Sequence, residues 1–233
     1  PEFRLPRGVV TREVRAILET GIELVTGTRF GADIGWKELK RRGYRALVVG
    51  TGAWRPSWKW GTAGVKGVIN AGDFLQNAAL EIEDERVVVA GDGMMALDCA
   101  RSAARLGAAR TTLIVGRSRG LAPVQGDDLV QAEREGVKVL LLARPSRLVI
   151  NKGRLAGIKC VKLGERPADA TGRRETVEIS GSEFTGEADV FVDAYGRGID
   201  ARGFASDLRL EISAVGTVDV DPRTSGTGAK GVF

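Results

Sequence analysis

Residues 86–115 read RVVVAGDGMMALDCARSAARLGAARTTLIV, and this stretch decides the fold. Residues 86–90 are apolar and β-branched, which predicts a buried strand. A glycine turn follows at Gly91-Asp92-Gly93. Residues 94–106 then run as a helix to Gly107, a C-terminal stop. Residues 111–115 supply a second apolar strand. Strand, helix and strand together make a βαβ unit of about 30 residues, the size such a crossover needs. Inside it, Gly91-Asp92-Gly93-Met94-Met95-Ala96 has the GxGxxA form. The first glycine permits the tight turn, the second lets a pyrophosphate approach the backbone, and the small Ala96 allows close helix–strand packing. Phosphates would rest on the N–H groups that open the helix. Gly91, Gly93, Met94, Met95 and Ala96 are therefore candidate nucleotide contacts. The alternative is a tight turn in an ordinary α/β sheet, and Asp92 counts against a phosphate loop unless it points to solvent.

The end of the second strand bears on which nucleotide fits. An NAD site usually places Asp or Glu about 20 residues past the glycines, on the ribose 2′-hydroxyl. Here the sequence is Val115-Gly116-Arg117-Ser118-Arg119, and between Gly93 and Asp127 the only acid is Asp98, on the helix. Arg117, Ser118 and Arg119 suit a 2′-phosphate instead. One charge-assisted hydrogen bond is worth about 1.5–3 kcal/mol, a roughly ten- to hundredfold preference for NADPH. The bland reading is a pair of surface arginines on a loop.

Outward from this unit, the pattern alternates helix and strand. Residues 9–20 put Val10, Val14, Ile17 and Leu18 on one helical face, with Gly21 as a stop. Residues 22–25 read as a short strand and 35–42 as a short helix closed by Gly43. Residues 45–49 read as a buried strand running into Gly50-Thr51-Gly52. Residues 53–67 are irregular and carry Trp54, Trp58 and Trp60, a cluster that more simply packs a loop than stacks on a ligand. Residues 73–80 look helical. Residues 127–135 form a helix closed by Gly136, and 137–142 a third parallel strand. Residues 147–150 and 154–163 alternate around Asn151-Lys152-Gly153, a β-hairpin signal. A polar loop at 164–175 precedes strands at 176–179 and 189–195. The fold class is α/β: a Rossmann-like parallel sheet with an added hairpin or meander.

Composition narrows the chemistry. The 233 residues include no histidine, which excludes Ser-His-Asp and Cys-His nucleophile systems and imidazole metal sites. The cysteines are Cys99 and Cys160 alone, so a CxxC redox pair, a four-Cys zinc site and a self-contained iron–sulfur cluster are excluded. Free thiols of a cytoplasmic protein are the simpler reading. Asp98 and Cys99, on the helix after the glycine turn, read as packing. Glycine, at 32 residues, is nearly twice its usual share of about 7%, consistent with several tight turns. Net charge is +5, but Lys and Arg are dispersed among acids, so a nucleic-acid partner is not expected. No apolar run reaches the ~18 residues of a membrane span, and no membrane partner is expected.

These segments, taken in order, resemble one family. They are PEFRLP and TREV, ALVVGTGAWRP, AGDFL, VVVAGDGMMALDCARSAARLGA, AEREGV, ATGRR, GSEF, ADVFVDAYGR and the final GVF. The chain resembles the small (β) subunit of NADPH-dependent glutamate synthase and its relatives, flavin-containing NAD(P)H oxidoreductases with two dinucleotide-binding domains. The resemblance covers nearly the whole chain. It implies an NADP-binding domain at residues 81–187 inserted into an incomplete FAD-binding domain at 1–80 and 188–233. It implies that Thr51, Gly52 and Ala53 form the second FAD-contacting turn, and that Gly196 lies in the turn where the chain re-enters the flavin domain. It carries nucleotide contacts onto Gly91, Gly93, Ala96, Arg117 and Arg119. The implied activity is electron transfer from NADPH through FAD to the iron–sulfur centres of another segment or a large glutamate synthase-like subunit. No catalytic side chain is implied, because the cofactors carry the chemistry. The family's FAD pyrophosphate motif and iron–sulfur cysteines would lie upstream of PEFRLP, so a fragment is expected. In place of the family's AIGQ turn stands AYGR, with Tyr195 and Arg197, and Ser118 splits the paired arginines. The competing expectation is a catalytically silent nucleotide-binding or subunit-interaction module without its own flavin.

Overall fold

The computed structural model describes residues 1–56, 64–77, 80–124, 126–170, 172, 174–199, 201–213 and 216–233. The chain divides into two compact units, one of residues 56–196 and one of residues 2–55 with 197–233. The central unit therefore interrupts the other in sequence. The division falls outside the expected limits of 81 and 187, because strands on either side of those limits join the central sheet.

The flanking unit begins with α1 (Arg7–Leu18), close to the expected 9–20, and Gly21 ends it at φ 95°. None of the helix is buried, and Val10, Val14 and Ile17 are exposed. The expected strand at 22–25 does not form. Ile22, Leu24 and Val25 stand exposed, and no ladder reaches them among the described residues. Helix α2 (Trp36–Arg41) is stopped by Gly43 at φ 94° and buries Trp36. The expected buried strand at 45–49 is also corrected. It makes one parallel bridge, Leu47 to Val232, and Val48 is 77% exposed. One neighbouring segment, 231–233, is too little to build and bury a strand. Its bonds run from Leu47 N–H to Gly231 O (2.9 Å), from Phe233 N–H to Leu47 O (2.8 Å) and from Val49 N–H to Phe233 O (2.8 Å).

The central unit holds a five-stranded parallel sheet. Its strands are β1 (Val68–Asn70), β2 (Arg86–Ala90), β3 (Arg110–Val115), β4 (Val137–Leu141) and β9 (Val190–Asp193). The order is β1-β9-β2-β3-β4. Helix α3 (Ala71–Gln76) starts two residues before the expected 73, because the Asn70 side chain accepts the N–H groups of Gly72 and Asp73 and caps it. Residues 78–79, expected in this helix, lie outside the described residues. Helices α4 (Met94–Arg105) and α5 (Gly126–Arg134) match expectation, with Gly107 and Gly136 ending them at φ 86° and 90°.

Alternate residues of the strands face opposite layers. Val87, Val89, Leu113 and Val115 join Leu97, Cys99, Ala100 and Leu129 under the helices. Val88, Ala90 and Ile114 face Leu148, Leu155, Ile158 and Cys160 of a second sheet. A parallel sheet covered on both faces needs this near-continuous apolar run. The second sheet is antiparallel: β5 (Ala143–Asn151), β6 (Arg154–Glu165), β7 (Thr176–Glu178) and β8 (Phe184–Glu187). The hairpin between β5 and β6 turns through Lys152 (φ 47°) and Gly153 (φ 77°), the two positive φ values of a type I′ turn.

The chain then returns to the flanking unit and forms α6 (Arg202–Leu208). Phe204 and Leu208 pack with Trp36, Ala201 and Val232 in a small core. Asp207 accepts the Trp36 N–H at 3.1 Å, which fixes the start of α2.

Candidate functional site

The site stands at the carboxyl end of the parallel sheet, where β2 passes through Gly91-Asp92-Gly93 into α4. Gly91 is confined from two sides. A Cβ there would meet the Ala194 carbonyl oxygen at 2.7 Å and the Ala96 Cβ at 3.0 Å, at a φ of 157°. Ala96 is buried in turn. This is the tight strand–turn–helix packing that the GxGxxA pattern predicts. Gly93 is the opposite case. A Cβ there meets nothing within 4 Å, so the backbone lies open to a ligand. Gly93 is also the N-cap of α4, and no side chain caps the helix. The first bond inside the helix runs from Ala96 N–H to Gly93 O at 3.0 Å. Helix geometry leaves the N–H groups before it to an outside acceptor, together with the positive end of the dipole. Met94 is exposed at this rim and Met95 is half-buried.

The second loop follows β3. Asp92, the acid that counted against a phosphate loop, accepts the Gly116 N–H on Oδ1 at 2.7 Å. It ties the two loops together rather than standing free in solvent. Its Oδ2 lies 3.9 Å from Arg117 Nε. Ser118 donates its N–H to Glu165 Oε1 at 3.1 Å. Arg119 pairs with Glu133 of α5. Hydrogen bonds from Ser118 hold the Glu165 carboxyl below the usual range, with the charges of Arg174 and Arg117 adding to the effect. Arg117 thus lies beside the glycine turn, while Ser118 and Arg119 engage Glu165 and Glu133. Glu133 and Glu165 were not foreseen; they come from distant elements, and no local pattern signals them.

The remaining expected residues divide between the units. Gly196 (φ 93°) follows β9, two residues after the Ala194 that backs Gly91. Tyr195 is largely buried, and burial pushes its hydroxyl well above the ordinary tyrosine value. Thr51, Gly52 and Ala53 belong to the flanking unit, where Gly52 turns at φ 69°. Thr51 and Gly52 line a pocket of about 510 Å³ with Phe30, Val49, Trp54 and Phe204. Trp58, Trp60, Arg173 and the side chain of Arg197 lie outside the described residues. Cys99 and Cys160 are buried free thiols, and burial pushes Cys160 up to about 11. Among the described residues no group of acids and cysteines could hold a metal ion, and no helix is long and apolar enough to cross a membrane.

A parallel sheet with a glycine turn and an uncapped helix at the carboxyl end of a central strand is the architecture of the dinucleotide-binding α/β folds. More specifically, residues 4–233 match the pyridine nucleotide-disulphide oxidoreductase family, and the chain belongs to it. It is 37% identical over 241 residues to the NADP(+)-dependent formate dehydrogenase subunit beta of Moorella thermoacetica, an alignment covering 100% of this chain and 34% of that protein. It is 31% identical over 250 residues to the glutamate synthase [NADPH] small chain of Azospirillum brasilense, covering 100% of this chain and 52% of that one. The chain thus spans between a third and about half of these relatives. Among solved structures it resembles Mycobacterium tuberculosis FprA in complex with NADPH, with a TM-score of 0.61 and 16% identity over 85% of this chain and 57% of that chain. That likeness is one of fold.

Proposed function

We propose that this chain is the nucleotide-handling part of an NADPH-dependent, FAD-containing oxidoreductase of the glutamate synthase small-chain type. The observation that carries the reading is the open Gly93 at the uncapped start of α4, beside the Arg117–Arg119 loop. The pyrophosphate would rest on the N–H groups of Gly93, Met94 and Met95, with Gly91 and Ala96 giving the turn its shape. Arg117, Ser118 and Arg119 would hold the 2′-phosphate. Asp92 fixes the distance between the two groups of contacts through Gly116. In the flanking unit, the open turn Thr51-Gly52-Ala53 and its pocket suit part of a flavin, and Gly196 lies at the return to that unit.

A bound NADPH supplies a hydride and a bound FAD accepts it. The chain's own work is to position rings and phosphates, for which a protein without histidine is well suited. Electrons would leave through iron–sulfur centres of another segment or of a large subunit, in the cytoplasm. The names of the relatives, a beta subunit and a small chain, support an assembly of this kind.

Calorimetric titration of the chain with NADPH and NADH tests the reading. NADPH should bind at least about tenfold more tightly, as an arginine–phosphate contact requires. Failure of both nucleotides to bind would overturn it and favour a silent interaction module.

A further inference from the structure

We propose that Glu165 tempers the NADPH preference of this site, by holding its carboxylate on the Ser118 N–H, beside the groups that would take a ribose 2′-phosphate. The inference rests on the NADPH reading above and names the residue that opposes it. Glu165 ends β6, in a different sheet from the glycine turn. Its backbone is held in register opposite Thr176 of β7. The next residue is held as well, Arg166 N–H bonding to Glu175 O at 2.9 Å. Two residues before it, Leu163 N–H bonds to Leu142 O at 2.7 Å, and Leu142 N–H in turn reaches Arg117 O. The carboxylate therefore arrives on a braced strand.

What it meets there is an anion site. It accepts the Ser118 N–H at 3.1 Å, and the Ser118 hydroxyl and the charges of Arg174 and Arg117 favour its ionised form. The Ser118 turn is itself fixed, because its carbonyl accepts the N–H groups of Leu121 (3.1 Å) and Ala122 (2.9 Å). A backbone N–H, a hydroxyl and two guanidinium charges are the donors a phosphate monoester seeks. In this chain one carboxylate already takes the Ser118 N–H. The neighbouring cations are opposed in the same way, Arg117 by Asp92 and Arg119 by Glu133. A 2′-phosphate must displace Glu165 and then bear its repulsion. A 2′-hydroxyl need do neither.

Glu165→Gln keeps the shape and an oxygen for the Ser118 N–H, and removes the charge. Titration of the whole chain with 2′,5′-ADP, 5′-AMP, NADPH and NADH reads the result. The variant should bind 2′,5′-ADP and NADPH about five- to tenfold more tightly, with 5′-AMP and NADH within about twofold of the parent. Glu165→Ala should move the same way, and far-ultraviolet dichroism checks that both variants are folded. If the parent binds NADPH and Glu165→Gln binds 2′,5′-ADP no better, this proposal falls and the NADPH reading stands. If neither protein binds any of the four, both fall together. If only the variant binds 2′,5′-ADP, Glu165 opposes the 2′-phosphate as proposed and the NADPH preference assigned to the parent falls.

Discussion

Glu135 offers the sharpest test of how the central unit is held together. It follows the last turn of α5 and faces α4, where Arg101 donates Nε to Oε2 (2.8 Å) and Nη2 to Oε1 (2.6 Å). Arg105 (2.7 Å) and Gln131 (3.2 Å) donate to Oε1 as well. The side chains of Arg101 and Glu135 are only 9% and 13% exposed. Arg101 first, with Arg105 and Gln131, pushes the Glu135 carboxyl down from 4.5 to about 2. At about 1.4 kcal/mol per pH unit, this corresponds to ~3 kcal/mol of stability at neutral pH. The sign follows from the depressed value. The stabilisation is present in full above pH 4.5 and is lost as pH falls through about 2. Glu135→Gln removes the charge and leaves Arg101 buried against a neutral amide, a change that costs about 3–5 kcal/mol when a buried pair is broken. Urea unfolding followed by far-ultraviolet dichroism should show a midpoint about 1–3 M lower at pH 7. The gap between parent and variant should shrink to about half near pH 3. A variant within about 1 kcal/mol of the parent at pH 7, or a gap that pH does not change, would refute the reasoning.

Other outcomes follow from the same contacts. Gly91→Ala drives a Cβ to 2.7 Å from the Ala194 carbonyl, so calorimetry should show a loss of about 1–3 kcal/mol in stability together with loss of NADPH binding. Gly93→Ala meets nothing within 4 Å, so thermal stability should fall by no more than about 1 kcal/mol while NADPH affinity drops tenfold or more; equal losses at both glycines would contradict the assigned roles. Asn70→Ala deprives the Gly72 and Asp73 N–H groups of their acceptor and should cost about 1 kcal/mol in urea unfolding, with nucleotide affinity unchanged.

The elements that could be read from sequence are those in which local preference and tertiary demand agree. Strand β2 is apolar at every position after Arg86 because helices cover one face and an antiparallel sheet the other. Glycines that end α4 and α5 announce themselves because only a positive φ closes those turns cheaply. The Asn151-Lys152-Gly153 turn was legible for the same reason. Where the reading went astray, the missing information was a partner. Residues 22–25 and 45–49 have the composition of strands, but a strand exists only through its neighbours. Residues 68–70 and 184–187 are the reverse case. Val68-Ile69-Asn70 and Phe184-Thr185-Gly186-Glu187 are too short or too polar to stand out, and ladders with β9 and β6 make them strands.

The site shows the same division, with a consequence for its chemistry. Along the chain, Val115–Arg119 looks like an unopposed cationic loop, since between Gly93 and Asp127 the only acid is Asp98. Folding brings three to it: Asp92 from the glycine turn, Glu133 from α5 and Glu165 from β6. Their effects are not equivalent. Asp92 spends one oxygen on the Gly116 N–H, so it joins the two loops while its other oxygen stands 3.9 Å from Arg117, a weak pairing in water. Glu133 meets Arg119 where both side chains are about 40% exposed, and such pairs hold little energy against a phosphate. Glu165 engages the backbone of the loop as Asp92 does, but at Ser118, between the two arginines, and from the antiparallel sheet. On the proposed reading, the selectivity of the loop depends on what the antiparallel sheet sets against Ser118 as well as on its arginines.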